Sequence, residues 1–155
     1  GPEIPAGHLL RSGPSEVEFG LHQTAIKRRR IVETEEFSVS KPVGPYTPIV
    51  AAGEWLIASG QIGIVDGALV DGGVGAQLHQ ALANLKGLVE GQGARLDQVV
   101  KTTVFLTSMD DYAAMNEVYV ELFGDHRPAR SAVAVAELPI GAAIEIEAWA
   151  RVGAN

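Results

Sequence analysis

Arg127-Pro-Ala-Arg-Ser-Ala-Val-Ala-Val-Ala-Glu-Leu-Pro139, followed shortly by Ile144-Glu-Ile-Glu-Ala-Trp149, reads as two strand-like runs joined by a Pro/Gly turn at Leu138-Pro-Ile-Gly-Ala142. Side chains alternate along a strand, so Arg130, Ala132, Ala134 and Ala136 are expected on one face of the first run. A guanidinium beside three methyl side chains has free space around it, which is unusual for a salt-bridge position. In the second run Ile144, Ile146, Ala148 and Ala150 share a face, and Glu145, Glu147 and Trp149 share the other. If the two strands neighbour each other, an anion-binding arginine and a carboxylate share one pocket.

Working outward, Ser108 with Asp110 and Asp111 opens a helix, as a cap and as charge favourable to the helix dipole. Its stripe is Tyr112, Met115, Asn116, Tyr119, Leu122 and Phe123. Asn116 is a polar residue inside that apolar stripe and needs partners, as a strut or as a site group. Val99 to Leu106 is a β-branched strand. Before it, Leu78, Leu82, Leu85 and Val89 form the stripe of an earlier helix that Gly91 ends. Further upstream, the runs from Ile49 and from Trp55 flank a Gly53-Glu54 turn and read as a hairpin. Asp66-Gly67 and Asp71-Gly-Gly73 are turn signals around a short Ala-Leu-Val run. Three prolines and a glycine make residues 41–48 a loop, and residues 31–39 read as a first strand. Helices gathered on one face of a largely antiparallel sheet give an α+β domain.

These residues also carry a resemblance. The Pro-Ala-Arg-Ser before one strand and the Ile-Glu-Ile-Glu-Ala of the last are similar to the YjgF/RidA family. The match continues through Gly44-Pro45-Tyr46, Ala58-Ser59-Gly60-Gln61, Val100-Lys-Thr-Thr-Val-Phe-Leu106 and Met115-Asn116-Glu-Val-Tyr119, in the family's order and spacing. It spans residues 31–152, and several motifs in fixed order are far more specific than one short pattern.

The resemblance implies a chorismate-mutase-like fold: a mixed sheet of about six strands with two helices on one face. It also implies a homotrimer with a barrel-like core of sheets and sites between subunits. It further implies a hydrolytic deaminase of reactive enamines and imines of the 2-aminoacrylate type, releasing a 2-keto acid and ammonia without a cofactor. In that reading Arg130 grips the substrate carboxylate through two parallel N–H···O bonds, a task for which a lysine is unsuited. Glu145 orients the attacking water, while Glu147 is structural. Tyr46, Ser59, Gly60 and Asn116 complete the substrate-binding set. One departure stands out: Ala132 occupies the position where better-known members carry a cysteine, which opens the pocket and changes its polarity. The connection from Phe123 to Pro128 is compact, so the pocket rim is expected to differ too. The rival readings are a non-catalytic ligand-binding or chaperone-like trimer, and a ribonuclease or translation-inhibitor activity.

Composition bounds these readings. At 155 residues the chain can bury a full core. Residues 27–155 are expected to form the domain. Residues 1–26, rich in glycine and proline, read as an extension whose Gly1-Pro2 resembles a remnant of tag cleavage. With no cysteine there is no disulfide framework and no cysteine metal cluster. No apolar run approaches membrane-spanning length, and a cytoplasmic location is expected. The net charge of −7 and the lack of interleaved aromatic and basic residues weigh against nucleic acid. The Lys27-Arg-Arg-Arg30 run reads as a solvated cluster. His8, His22, His79 and His126 have no metal-ligand spacing, and His79 reads as a surface residue. Gly73-Val-Gly75 and Gly91-Gln-Gly93 lack the context of a nucleotide loop, and no serine stands in a nucleophile elbow.

Overall fold

The computed structural model describes Pro42 and residues 44–153. The expected strand at 31–39, the extension at 1–26 and the basic run at 27–30 lie outside the described residues. Strands β1 (Ile49–Ala52) and β2 (Trp55–Ile62) form the expected antiparallel hairpin. Its turn needs Gly53, whose φ is 62°. A small ribbon follows, β3 (Ile64–Val65) with β4 (Ala68–Leu69), turned by Asp66 and Gly67 at φ 51° and 81°. Two successive positive φ values define the tight hairpin turn that Asp-Gly favours. Then come helix α1 (Gly73–Gly91), strand β5 (Val99–Leu106), helix α2 (Tyr112–Phe123), strand β6 (Ala129–Ala134) and strand β7 (Ile144–Arg151).

The main sheet has five described strands in the order β1-β2-β7-β5-β6. Only β5 and β6 pair in parallel, so the sheet is mixed and the domain is α+β. Both helices lie against one face. The α1 stripe of Leu78, Leu82, Leu85 and Val89 is buried against Leu56 and Ala58 of β2, Val104 and Leu106 of β5, and Ile144, Ile146 and Ala148 of β7. Each such side chain contributes about 1.5–3 kcal/mol on leaving water, so this layer is the main source of stability. From α2, Met115, Tyr119 and Phe123 join the same core. The α2 entry is a short 3-10 turn (Met109–Asp111) in which Ser108 Oγ accepts the Asp110 N–H at 3.1 Å. One buried polar contact crosses this core: Thr102 Oγ1 and Tyr119 Oη are hydrogen-bonded at 2.8 Å.

Two features depart from simple alternation. β6 and β7 follow each other in sequence yet are not neighbours, because β5 lies between them. A bulge interrupts β2, where Ala58 faces Ala148 but Gln61 faces Ile146. The extra residue in this stretch, Ser59-Gly60, bends the strand locally. The sheet face away from the helices has no cover among the described residues. Val50, Trp55, Trp149 and Val133 there are 39–47% exposed, and Trp55 meets Trp149 edge to face at 6.4 Å.

Candidate functional site

Registration across the sheet fixes which site residues can meet. Arg130 pairs with Thr102, which pairs with Ala148; this row points at the helices. Glu145 pairs with Phe105, which pairs with Val133, three positions along and therefore on the opposite face. Within one chain Arg130 and Glu145 are thus separated by a strand and by the thickness of the sheet. The condition for a shared pocket, neighbouring strands, is not met inside a single chain.

Around Arg130 the three expected methyl neighbours give way to side chains from α2. Its Nη2 donates to Asn116 Oδ1 at 2.7 Å and to Tyr112 Oη at 3.2 Å, while Nη1 approaches Met115 Sδ at 3.4 Å. The guanidinium carbon lies 4.6 Å from the Tyr119 ring centre and 5.7 Å from that of Tyr112, so two aromatic faces help hold the charge. Asn116 is therefore the acceptor that orients the arginine. Ala132 packs against the main core, and Ala136 lies beyond the end of β6.

A guanidinium has five N–H donors, and both of its bidentate edges use an Nη2 hydrogen. Those two hydrogens already serve Asn116 and Tyr112. A carboxylate binding through two parallel bonds must displace one partner, and the longer Tyr112 contact is the one to yield.

On the other face Glu145 lies over Gly60. A β-carbon at position 60 would collide with the Glu145 carboxylate, so glycine is what lets the side chain settle there. Burial pushes the Glu145 carboxyl above its ordinary range, and the nearby Glu147 charge pushes it further the same way. Ser59 fixes the bulge from the opposite side. Its N–H donates to Pro48 O and its Oγ to Thr47 O, both at 2.8 Å. These bonds tie the loop that carries Tyr46, itself 46% exposed, to the strand that carries Gly60. Tyr46, Ser59, Gly60 and Glu145 thus belong to one end of β2 and β7, and Arg130 with Asn116 to the β6–α2 edge.

Sequence reading passed over Tyr112 and Tyr119 as core residues and gave Arg127 no role. Tyr112 was legible as an exposed-edge aromatic one turn before Asn116; Tyr119 carried no separate signal. Arg127 lines a cavity of about 370 Å³ together with Asn116, Tyr119, Val120, Pro128 and Arg130. Burial raises the Tyr119 hydroxyl, while the Thr102 bond and the charges of Arg130 and Arg127 act against that rise. His79 is a surface residue 3.5 Å from Glu121. Among the described residues no three His, Asp or Glu side chains converge as metal ligands do. No described helix is long and apolar enough to cross a membrane.

The family model for endoribonuclease L-PSP matches residues 22–152. Human 2-iminobutanoate/2-iminopropanoate deaminase is 40% identical over 127 residues, covering 81% of this chain and 91% of the human protein. A RutC family protein of Pyrococcus horikoshii is 44% identical over 124 residues, 79% of this chain and 97% of that protein. Among solved structures, RidA from an Antarctic Psychrobacter superposes with a TM-score of 0.73 at 36% identity, covering 80% of this chain and all of that one. The YjgF gene product of E. coli gives 0.68 at 42% identity, over 71% of this chain and 90% of that one. Relatives of one fold thus carry deaminase, RutC and endoribonuclease names. This chain belongs to the endoribonuclease L-PSP family, the YjgF/RidA family that its motifs resemble.

Proposed function

We propose that this protein is a cofactor-independent hydrolase of small enamine and imine acids, working as a homotrimer in which each site draws on two chains. The observation that carries the reading is the Glu145 carboxylate, half-buried over Gly60 with its proton affinity raised. A carboxylate so tuned can take a proton from water near neutral pH and return it to a leaving nitrogen. Arg130 supplies the complementary part, a guanidinium held by neutral partners and able to grip the acid group. Their opposite orientation on the sheet supports a site completed by a neighbouring chain, and the exposed apolar face of the sheet supports such a neighbour.

In the reaction, the enamine tautomerises to the imine and Arg130 aligns its carboxylate. Water adds to the carbon of the protonated imine while Glu145 accepts a water proton, giving a carbinolamine. Glu145 then returns that proton to nitrogen, the C–N bond breaks as the hydroxyl proton passes back to the Glu145 carboxylate, and ammonia and a 2-keto acid leave. Imines also hydrolyse unaided, so orientation and electrostatics supply what catalysis is needed. The acidic balance of the chain, net charge −7, favours this reading over an RNA substrate.

A coupled assay tests it. A serine dehydratase generates 2-aminoacrylate, and added protein is expected to accelerate pyruvate release. Arg130→Lys is expected to lose most of that acceleration, because an ammonium cannot form the two parallel bonds. No acceleration by the wild-type trimer, with acid ligands still bound, would favour the non-catalytic alternative.

A further inference from the structure

The connection between α2 and β6 is short and firmly anchored. Gly124 at φ 59° turns the chain, and its N–H donates to Val120 O at 3.0 Å. The His126 N–H donates to Phe123 O at 3.0 Å, and His126 Nε2 lies 2.6 Å from Val99 O. A carbonyl only accepts, so Nε2 carries a proton and pins the loop to β5. Pro128 is buried next to it. Between these anchors Arg127 has little freedom of backbone, and its Nη1 donates to His126 O at 2.9 Å. The result is a second guanidinium on the wall of the Arg130 cavity.

Two cations bordering one small cavity repel each other unless something negative sits between them. The chain has 19 acidic residues against 12 Lys and Arg, so carboxylate partners are plentiful. Yet among the described residues neither Arg127 nor Arg130 has an Asp or Glu within 4.0 Å. Neutral acceptors meet them: an amide oxygen, a hydroxyl, a thioether and a backbone carbonyl. Both guanidinium groups therefore keep donors to spare. Val120 and Pro128 add an apolar wall that suits a short carbon chain.

We propose that this cavity takes a second acid group of the substrate, with Arg130 on the carboxylate beside the imine carbon and Arg127 on a distal carboxylate. The preferred substrate class is then a short-chain dicarboxylic imine or enamine. This deepens the hydrolase reading and rests on it for the word substrate; the binding of a diacid does not. A carboxylate fits better than a phosphate. The cavity borders the middle and last turns of α2, whose carbonyl end opposes a nearly doubly charged phosphate more than a singly charged carboxylate, and Arg127 is a single fork rather than a phosphate-binding nest. Arg127 is thus a specificity-determining residue.

The experiment has a binding arm and a kinetic arm. Calorimetry on the full chain compares succinate, butanoate and 3-phosphonopropanoate, for wild type, Arg127→Ala and Arg127→Lys. Succinate is expected to bind more tightly than butanoate. Arg127→Ala is expected to reduce that preference about ten- to a hundredfold, the usual worth of a bond to a charged group, with Arg127→Lys in between. In the kinetic arm an aspartate oxidase and an amino-acid oxidase acting on alanine supply the diacid and monoacid imines. The ratio of kcat/KM values is expected to fall by a similar factor in Arg127→Ala. Equal binding of succinate and butanoate by wild type, or a ratio unmoved by Arg127→Ala, would overturn the proposal. Tighter binding of the phosphonate than of succinate would overturn the choice of carboxylate. Succinate preference without hydrolysis of either imine would sustain the diacid site and sink the hydrolase reading instead.

Discussion

Asn116 Oδ1 accepts a 2.7 Å hydrogen bond from Arg130 Nη2, joining the middle of α2 to the edge strand β6. The bond spends one donor of the guanidinium to fix the plane of the others. A neutral acceptor does this without cancelling the charge, which an aspartate in the same place would do.

Asn116→Asp is therefore expected to act in opposite directions on binding and on stability. The new ion pair should hold or raise the melting temperature, while affinity for acid ligands falls by about tenfold or more as the internal carboxylate competes. Calorimetric titration with succinate and a thermal scan on the same sample check both signs. Unchanged affinity would remove Arg130 from the anion site.

Glu145→Gln is expected to slow turnover by about two to four powers of ten, and Glu147→Gln far less. The pH profile carries a second check. In the proposed reaction Glu145 acts in its ionised form, and burial followed by the Glu147 charge raises its pKa. The acid limb of kcat/KM should therefore lie above 4.5, the ordinary glutamate value, and Glu147→Gln should move it downward by removing a like charge. The sign for stability is the reverse of a salt-bridged acid: the folded state holds the proton more tightly, so the group costs stability as pH rises through the raised pKa. Glu145→Gln should thus be neutral at pH below 4 and stabilising at pH 7, read by denaturant unfolding at the two pH values.

Gly60→Ala should reproduce the loss of Glu145 without touching it. The added β-carbon meets the far end of a flexible side chain, so the fold gives way cheaply while the carboxylate is displaced. A misplacement of this size can cost on the order of a hundredfold in rate. Expected results are a fall in kcat with a melting temperature near wild type; retained kcat would mean that Glu145 works from another position.

Mixing two inactive variants tests whether sites are shared. If Arg130 and Glu145 act across a subunit boundary, co-refolding Arg130→Ala with Glu145→Gln restores some intact sites. Random mixing in a trimer leaves about a quarter of them complete, and activity should return to roughly that level. Zero recovery in verified mixed trimers would confine the site to one chain, against the registration of β5, β6 and β7.

Much of the fold was legible because its signals are local. The Gly53-Glu54 turn, the Asp66-Gly67 turn, the Leu78–Val89 stripe and the Ser108 cap each depend on a few adjacent residues. What escaped was adjacency across long sequence separation. Alternation in 130–136 and 144–150 assigns faces within each run but is silent on which strand lies beside which, and β5 enters between them from 28 residues away in the register Thr102↔Arg130. The same limit hid the Asn116–Arg130 bond. Both residues stood out alone, one as a polar break in an apolar stripe and the other as an arginine among alanines, and only the packing of α2 on β6 joins them.

The Ser59-Gly60 bulge changes the parity of β2. Before it the even positions Leu56 and Ala58 face the helices; after it the odd position Gln61 does, opposite Ile146. One strand thereby counts in two frames, and the extra residue between them is the one that makes room for Glu145. Deleting Gly60 would restore a single frame along the strand and leave Gln61 opposite Ile146, still on the helix side, with every later pairing kept. The shortened strand would keep its faces but lose the residue whose missing β-carbon makes room for Glu145, so loss of the bulge and loss of the carboxylate's seat would come as a single event.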